Sequence, residues 1–228
     1  MTGMRSYGDP CGIARALDLV GERWALLVVR EMLLGAKRFT DLRGGLPNAS
    51  PNVLSQRLRE LEEAGIVRRR RLDPPAGVWV YELTDRGRDL EPLILDLARW
   101  GSRSLSQPDG DLSVDSLMIA LLTTFDPDAA RGRQATVELR LGDDRFRAEI
   151  AKGQIDVARG HADRPKAVIS TDAATLTSLV FGDGSLAEAR RAGHATVEGD
   201  IDAMRWFLRL FPRPVPVASG EEQPAAGG

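Results

Sequence analysis

Apolar residues recur at helical spacing through most of the first hundred positions. A repeat at every third or fourth residue places the apolar side chains on one side of a helix. The segment 24–34 is apolar on nearly every side, which predicts a central, buried helix. Further helices are predicted at residues 13–20, 39–43 and 84–100. Pro92 lies within the last of these, where proline is unfavourable.

The middle of this half is predicted to form a helix and then a hairpin. Ser50 followed by Pro51 is a strong helix start, because serine caps a helix N-terminus and proline suits the first helical position. The helix should end before Gly65, which suits the left-handed closing conformation. The turn residues DPPAG then predict a hairpin, whose two strands are residues 66–72 and 78–83.

The second half of the chain has a different pattern, in which apolar and polar side chains alternate. A period of two predicts strands that bury one face of an antiparallel sheet, at residues 135–141, 145–152 and 153–160. Two further helices and a strand between them are predicted at residues 173–181, 201–211 and 195–198. The expected fold is a mainly α N-terminal domain followed by an α+β C-terminal domain with an antiparallel or mixed sheet and helices.

The two patterns meet at SQPDGD, residues 106–111, a polar stretch with proline and glycine that predicts a linker. The charge balance changes sign there, since residues 1–105 hold 17 basic and 14 acidic residues and the remainder holds 14 and 19. We therefore expect a first domain over 1–105 and a second over 112–213. The last residues, 214–228, contain few bulky side chains and are expected to be disordered.

Composition excludes several classes of function. A single cysteine rules out an internal disulfide framework and a cysteine-rich zinc site, and the two histidines lack the spacing of a metal motif. No apolar run approaches the length of a membrane span, about 20 residues, so a cytoplasmic protein without membrane contact is expected. The sequence shows no nucleophile with a nearby histidine and no phosphate-binding loop, which predicts a protein that is not an enzyme and uses no cofactor.

The two faces of the predicted helix after Ser50 differ in chemistry. At about 100° per residue, one face carries three leucines that should pack inward, Leu54, Leu58 and Leu61. The opposite face carries short or planar hydrogen-bonding side chains, Asn52, Ser55, Gln56 and Arg59. Asparagine and glutamine can each bind adenine through two hydrogen bonds, and arginine can do the same with guanine. This face is therefore suited to reading base edges in a DNA major groove.

Basic residues surround that helix. Four consecutive arginines lie on the first strand of the hairpin, where alternate side chains point to opposite faces, so two or three of them could meet one DNA backbone. They are Arg68, Arg69, Arg70 and Arg71. Further candidates for phosphate contact are Lys37, Arg38, Thr40 and Ser50. The alternative interpretations are an edge strand protected by charge against aggregation and a solvated turn.

Residues 11–101 resemble the HxlR family of bacterial winged helix-turn-helix regulators, a branch close to MarR-like proteins. The matching segments are CGIARALDLVGERWALLVVREMLLGAKRFTDLRGGLP, Ser50 with VLSQRLRELEEAGIV, and YELTDRGRDLEPL. The resemblance implies a nucleoid-associated homodimer, held by the N-terminal helix and the helix after the wing, that binds a roughly two-fold symmetric operator. It also implies that Ser50–Arg59 belong to the recognition helix, that residues 68–80 form the wing, and that Pro92 is tolerated with a kink.

Cys11 coincides with an N-terminal cysteine that certain members of this family use to sense oxidants or electrophiles. Those proteins usually have proline after the cysteine, whereas this chain has Gly12. A sensor with a single thiol would act through an intersubunit disulfide or a small-molecule adduct. The alternative is a small, partly buried residue at a helix start.

The stretch from ATVELRL to VEGDIDAMRWFLRLF resembles a sterol carrier protein type 2-like domain. The resemblance lies in the order of the hairpins and in the segments ISTDAATLTSLVFGD and GHATVEGDIDAMRWF. Because that fold often encloses an apolar tunnel, the resemblance implies a domain that senses a small hydrophobic ligand. Candidate lining residues are Leu139, Phe146, Ile150, Phe181, Met204 and Phe207. The alternative is that these side chains simply close the core of the domain.

Together these patterns predict a two-domain transcriptional regulator. Its expected partners are a double-stranded DNA operator, a second copy of the chain and a small hydrophobic ligand. A carrier of lipids or other hydrophobic molecules, whose winged-helix part contacts only proteins, is one alternative. A redox-sensing regulator whose C-terminal domain binds no ligand is another. Salt-dependent binding to duplex DNA would distinguish a regulator from a carrier.

Overall fold

The computed structural model describes residues 6–104 and 110–215. Most of the predicted linker, 106–111, and most of the predicted tail, 214–228, lie outside the described residues. The domain boundaries and the disorder of the tail therefore stay predictions. The described residues form a helical N-terminal region with a wing hairpin and an α+β C-terminal region with a five-stranded mixed sheet. This architecture confirms the predicted fold class.

The N-terminal region surrounds one central helix. The region consists of α1 (Gly12–Val20), α2 (Ala25–Met32), α3 (Phe39–Gly45), α4 (Pro51–Glu63), β1 (Val67–Arg71), β2 (Trp79–Leu83), α5 (Asp85–Arg88) and α6 (Glu91–Gly101). Within α2, Val28, Val29 and Met32 are at most 1% exposed, and they belong to one apolar cluster with Leu42 and Leu58. The predicted central, buried helix is therefore observed.

The helix predicted over residues 84–100 is in fact two helices, and Pro92 lies near the start of the second. Thr84 caps α5 by accepting a hydrogen bond from the amide of Gly87, and α5 ends at Arg88. A second helix, α6, then begins at Glu91, and Pro92 lies within its first two positions. The amide hydrogens of a helix's first turn have no partner within the helix, so proline costs little there. Pro92 therefore lies in the first turn of the second helix, where it is tolerated.

The C-terminal region packs helices on one face of a mixed sheet. Its elements are α7 (Val114–Thr124), β3 (Ala135–Leu141), β4 (Asp144–Ala151), β5 (Gln154–Arg159), β6 (Ala167–Thr171), α8 (Ala173–Phe181), α9 (Leu186–Arg191), β7 (Thr196–Gly199) and α10 (Ile201–Leu208). The strand order is β5-β4-β3-β6-β7, in which β3 and β6 are parallel and all other neighbours are antiparallel. The sequence pattern did not reveal α9 or β6, and β6 makes the sheet mixed.

The apolar positions of the alternating strands form the C-terminal core, as predicted. Val137, Phe146 and Ala148 are fully buried, and they pack against Leu117 of α7 and Leu176 of α8. One helix also reaches the other region, because α7 contacts α2, α3 and α6. The start of α7 therefore lies where the two regions meet.

Candidate nucleic-acid interface

The sequence of α4 fixes both where the helix begins and which face it buries. The hydroxyl oxygen of Ser50 accepts a hydrogen bond from the amide of Val53 at 3.3 Å, and Pro51 is the first helical residue. This cap satisfies an amide that has no partner within the helix. Three leucines that are at most 1% exposed form the inward face, Leu54, Leu58 and Leu61. The opposite face of α4 is therefore turned outward.

The predicted base-reading side chains lie on that outward face. Asn52 and Arg59 are exposed, and Ser55 and Gln56 are partly exposed. The guanidinium group of Arg59 donates to Oε1 of Gln56 at 2.9 Å, and Nε2 of Gln56 donates to Oε1 of Glu60 at 2.7 Å. Asn52 and Ser55 make no side-chain hydrogen bond within the described residues. The face thus offers donors and acceptors along two turns of the helix.

The wing hairpin separates its four arginines into two pairs. Arg68 lies opposite Glu82 and Arg70 opposite Val80, and Nε of each arginine donates to Glu82 at 2.7 Å. Burial raises the pKa of the Glu82 carboxyl, but hydrogen bonds and positive charge from Arg70 and Arg68 outweigh burial and hold the pKa below its usual value. Glu82 is therefore ionised at neutral pH and offsets part of the charge of Arg68 and Arg70.

The other face of the wing keeps its positive charge. The guanidinium carbon of Arg69 lies 4.7 Å from the ring centroid of Trp79 and 5.8 Å from that of Tyr81. Nε of Arg71 donates to the carbonyl oxygen of Gly77 at 2.9 Å, a neutral partner. Within residues 6–104 and 110–215, neither arginine has an acidic partner. Because Trp79 is 52% exposed, this face presents an aromatic ring and two uncompensated cations.

The start of α3 places two more candidate residues at the surface. Arg38 and Thr40 are exposed, as is Ser50 before α4. The carboxylate of Asp41 accepts a hydrogen bond from the amide of Arg38 at 2.9 Å, which caps α3. The side chains of Arg38 and Thr40 therefore stand at the exposed beginning of a capped helix.

Lys37 does not belong to this surface. The residue is 8% exposed, and its ammonium group forms an ion pair with Asp115 of α7. A phosphate contact would require breaking this buried pair, which is costly because it leaves an uncompensated charge behind. The structure thus contradicts the predicted phosphate contact of Lys37. No local pattern points to the partner, which is 78 positions away along the chain.

Two helices of the N-terminal region expose large apolar side chains. On α1, Ile13 is 73% exposed and Leu17 is 42% exposed. On α6, Leu93, Leu97 and Trp100 are 50%, 46% and 78% exposed. Groups of large apolar side chains in water mark surfaces that contact another protein.

Cys11 lies at the N-cap position of α1. The residue is exposed, its thiol is free, and its amide donates to the carboxylate of Asp9 at 2.8 Å. Cys11 thus lies at a helix start, as its alternative interpretation expected, but it is exposed and not partly buried. Sensing of oxidants or electrophiles by Cys11 stays a prediction.

The residues expected to line a ligand cavity are instead packed into the C-terminal core. Five of them are at most 1% exposed and belong to one cluster, Leu139, Phe146, Ile150, Met204 and Phe207. The sixth, Phe181, is partly buried against the same cluster. Two surface hollows of about 410 and 540 Å³ are lined by other residues, among them Arg133 and Arg190. The placement of the six side chains corrects the expected cavity and agrees with the alternative that they close the core.

In the part of the chain that the structure describes, no group of histidine, cysteine, aspartate and glutamate side chains is arranged to hold a metal ion. No described helix is long and apolar enough to cross a membrane.

Two protein-family descriptions match the chain. The family of HxlR-like helix-turn-helix proteins matches residues 19–109, and the alkyl sulfatase C-terminal family matches residues 109–217. The second match gives the C-terminal region a description different from the sterol carrier resemblance expected from the sequence. That region resembles the C-terminal part of alkyl sulfatases.

Known relatives and solved structures are similar to the N-terminal part of the chain. The HTH-type transcriptional regulator YvaP of Bacillus subtilis is 38% identical over 88 residues, which are 39% of this chain and 82% of the relative. The regulator Rv3095 of Mycobacterium tuberculosis is 43% identical over 98 residues, which are 43% of this chain and 61% of the relative. The redox regulator HypR in its oxidized form is 36% identical and covers 44% of this chain and 100% of its own, with a TM-score of 0.38. Quinone-bound YodB from B. subtilis is 31% identical and covers 39% of this chain and 93% of its own, with a TM-score of 0.34.

The match to YvaP includes most of that regulator's length, and the HxlR match includes the capped helix α4 and the wing. The chain belongs to the HxlR-like helix-turn-helix family of transcriptional regulators.

Proposed function

We propose that this regulator binds a roughly two-fold symmetric operator in double-stranded DNA as a homodimer, through α4 and the wing. The observation that carries the proposal is a pair of surfaces. The outward face of α4 carries base-reading side chains, and one face of the wing carries Arg69 and Arg71 without acidic partners in the described residues. A surface kept only for solubility would more often pair such charges, as Glu82 pairs Arg68 and Arg70.

In this proposal the N-terminal half of α4 enters the major groove. Asn52 and Gln56 are suited to adenine, Arg59 to guanine and Ser55 to several bases. Gln56 already bonds to Arg59 and Glu60, which leaves one amide hydrogen and one lone pair of its side chain for a base. Asn52 and Ser55 make no such bonds within the described residues.

Phosphate contacts position the protein on the duplex and carry no sequence information directly. Arg69 and Arg71 are assigned this role on the wing, with Arg38, Thr40 and Ser50 at the starts of the two helices. Arg68 and Arg70 contribute less, because Glu82 already offsets part of their charge. Lys37 takes no part, because its charge is paired with Asp115.

The exposed apolar side chains of α1 and α6 support the homodimer. These are the N-terminal helix and the helix after the wing, the two elements that the family resemblance assigns to the subunit interface. Burying Ile13, Leu93, Leu97 and Trp100 between two copies would remove a sizeable apolar surface from water. Two α4 helices related by a two-fold axis would then face two half-sites.

Footprinting on the DNA that flanks this protein's own gene tests the proposal. We expect protection of two half-sites whose centres lie about one helical turn, or about 10 base pairs, apart. Protection of a single uninterrupted stretch without internal symmetry would contradict binding by a dimer. Absence of salt-dependent duplex binding would instead favour the carrier of hydrophobic molecules.

The wing assignment has a separate test in the salt dependence of binding. The double substitution Arg69→Ala and Arg71→Ala should reduce the slope of log affinity against log salt by about 2, since each lost phosphate contact removes about 0.9. A matched control is Arg131→Ala with Arg147→Ala, which removes the same charge from arginines paired with Asp128 and Asp156. Equal slopes for the two variants would remove the wing from the interface.

Modulation by a small hydrophobic ligand in a sterol-carrier-like C-terminal region stays a prediction. Because Phe146 and Phe207 are fully buried, such a ligand would have to displace core side chains. Repeating the footprint with a lipophilic extract tests this idea, and a changed protection pattern would support it. Redox control through Cys11 predicts that an oxidant alters operator binding by the natural protein but not by Cys11→Ser.

A further inference from the structure

The first turn of α7 is attached to α2 by a buried carboxylate. The hydroxyl of Ser113 accepts from the amide of Ser116 at 3.1 Å and donates to Oε1 of Glu31 at 2.8 Å. Glu31, on α2, is 2% exposed and also pairs with Arg30 at 2.7 Å. The beginning of the C-terminal region is therefore hydrogen-bonded to the central helix of the N-terminal region.

Asp115, in the same turn, binds one cation from each region. Its Oδ2 pairs with the ammonium group of Lys37, and its Oδ1 accepts from the guanidinium group of Arg159 on β5 at 2.7 Å. Arg159 also pairs with Asp144 at the start of β4. The side chains of Lys37 and Asp115 are 10% and 4% exposed. A row of alternating charges, buried at Asp115 and Lys37, thus runs from β4 through α7 to Lys37, two residues before α3.

Lys37 continues this connection to the wing through its backbone. Its amide donates to the carbonyl oxygen of Tyr81 at 2.9 Å, and the amide of Tyr81 donates to the carbonyl oxygen of Lys37 at 2.8 Å. Tyr81 belongs to β2, two residues from Trp79, and its ring faces Arg69. A single residue therefore contacts the C-terminal region through its side chain and the DNA-facing hairpin through its backbone.

The chemistry of this row resists partial movement. Removing an ion from water is costly, and opposite charges offset the cost only while each buried partner stays in place. If β5 withdraws Arg159, Asp115 loses one of its two cations and its pairing with Lys37 must readjust. The position of Lys37, and of the wing strand bonded to it, consequently depends on the arrangement of the C-terminal sheet.

We propose that Lys37, Asp115 and Arg159 form a regulatory link by which the C-terminal region sets the position of the wing and thereby the affinity for DNA. The effect on DNA rests on the proposed function, whereas the effect on the wing does not. The link also gives a reason why Lys37, beside the exposed Arg38, points inward. A structural pair without a coupling role would stabilise the chain but would leave the wing independent of Arg159.

Amide hydrogen exchange on the full chain without DNA tests the link. In Arg159→Met, the pair of Lys37 and Asp115 remains, but its connection to the sheet is cut. We expect the amides of Lys37 and Tyr81 to exchange about tenfold faster, because the bonds between them open more often. The amide of Asp200, which donates to Lys166 in the C-terminal region, should keep its rate and reports general destabilisation.

Two further variants complete the experiment. Asp115→Asn removes the shared charge and should accelerate the same two amides at least as much as Arg159→Met. Asp156→Asn is the matched control, because Asp156 pairs with Arg147 at 3.0 Å on an exposed face of the sheet. If Asp115→Asn fails to fold, the comparison of Arg159→Met with the control decides the outcome.

Binding to the operator is measured on the same proteins. We expect Arg159→Met to weaken binding by about fivefold, at the lower end of usual allosteric couplings, and Asp156→Asn to leave it unchanged. Unchanged exchange at Lys37 and Tyr81 in Arg159→Met, or equally faster exchange at Asp200, would overturn the link. If the natural protein binds no duplex, the proposed function fails, while the exchange rates still decide whether the wing is coupled.

Discussion

The sheets of the two regions differ in whether their arginines pair with acidic side chains. On the C-terminal sheet, Arg140 pairs with Glu138 at 2.6 Å and Arg147 pairs with Asp156 at 3.0 Å. On the wing, also a sheet, one face follows the same rule, since Glu82 pairs with Arg68 and Arg70 and offsets part of their charge. The opposite face does not, because its cations stack on an aromatic ring or bind a carbonyl oxygen instead of an acid.

The same contrast holds for exposed apolar side chains. Of the large apolar residues that are exposed in the described parts of the chain, all but Leu112 and Val215 lie in the N-terminal region. Grouped exposed apolar side chains and unpaired charges are features of surfaces that bind partners. The exposed apolar side chains and the unpaired wing arginines support the proposal that the N-terminal region binds external partners, whereas Arg140 and Arg147 pair with acids of their own sheet.

The largest effect is expected when a charge is placed on the apolar surface of α6. We expect Trp100→Glu to weaken self-association by about 2 kcal/mol or more, because an exposed tryptophan at the centre of an interface is often a hot spot. Sedimentation at several protein concentrations would measure the change. Val215→Glu is the matched control, since Val215 is 79% exposed but lies in the C-terminal region. Equal effects of the two substitutions would remove α6 from the interface.

The next test concerns the outward face of α4. Arg59→Ala should cost about 1 to 3 kcal/mol of operator binding, if arginine binds guanine through two hydrogen bonds, and should relax specificity at one position. Affinities for the operator and for random duplex, measured at one salt concentration, give the result. Arg88→Ala, which removes the same charge from α5, serves as a control. Equal losses on operator and random DNA would assign Arg59 to phosphate instead.

A smaller effect is expected where the C-terminal sheet balances its own charge. Burial raises the pKa of Glu138, but hydrogen bonds from Arg140 and the amide of Ala162 and the nearby positive charges outweigh burial and lower the pKa below 4.5. A lowered pKa means that ionised Glu138 stabilises the fold above about pH 4.5 and that this contribution is lost as the pH falls through the folded-state value.

Glu138→Gln should accordingly lower the free energy of unfolding at pH 7 by about 1.5 kcal/mol, the size of a hydrogen bond to a charged group. The difference from the natural protein should shrink as the pH falls below 4.5. Denaturant unfolding at pH 7 and at lower pH measures both values. DNA binding by the folded variant at pH 7 should be unchanged, and a difference in stability that persisted at low pH would contradict the role of the charge.

The smallest expected effect is an increase in affinity for duplex DNA. Glu82→Gln removes the charge that Arg68 and Arg70 share, while an amide oxygen can still accept one hydrogen bond. Duplex affinity should rise by about 0.5 kcal/mol, the size of a typical exposed ion pair, with a steeper salt dependence. An unchanged salt slope would mean that Arg68 and Arg70 make no contribution to phosphate contacts, against this prediction.

Local patterns in the sequence predicted the elements that local chemistry determines. The cap at Ser50, the outward face of α4 and the alternation of the wing arginines follow from short-range rules and agree with the structure. The burial of Lys37 in an ion pair could not be predicted, because its partner Asp115 comes close only when the chain has folded. The short strand β6 was missed because AVIST is apolar without alternation, as strands inside a mixed sheet often are.

The prediction of a ligand cavity in the C-terminal region was wrong for a related reason. Alternating apolar residues show which face of a sheet is covered, but they do not show whether the covering helices leave space. The side chains of Met204 and Phe207 on α10 fill that space and are fully buried. Packing of this kind depends on the distance between layers, which no sequence pattern reports.

The register of the wing has a consequence for how the hairpin tolerates change. Four identical residues in β1 mean that a slip of one position would still place an arginine at each of three sites. The opposite strand is not uniform, since Trp79 and Glu82 point to different faces. The residues of β2 therefore determine which arginines have part of their charge offset, and β1 only supplies the arginines. A shift of one position within β2 would therefore exchange the two faces of the wing.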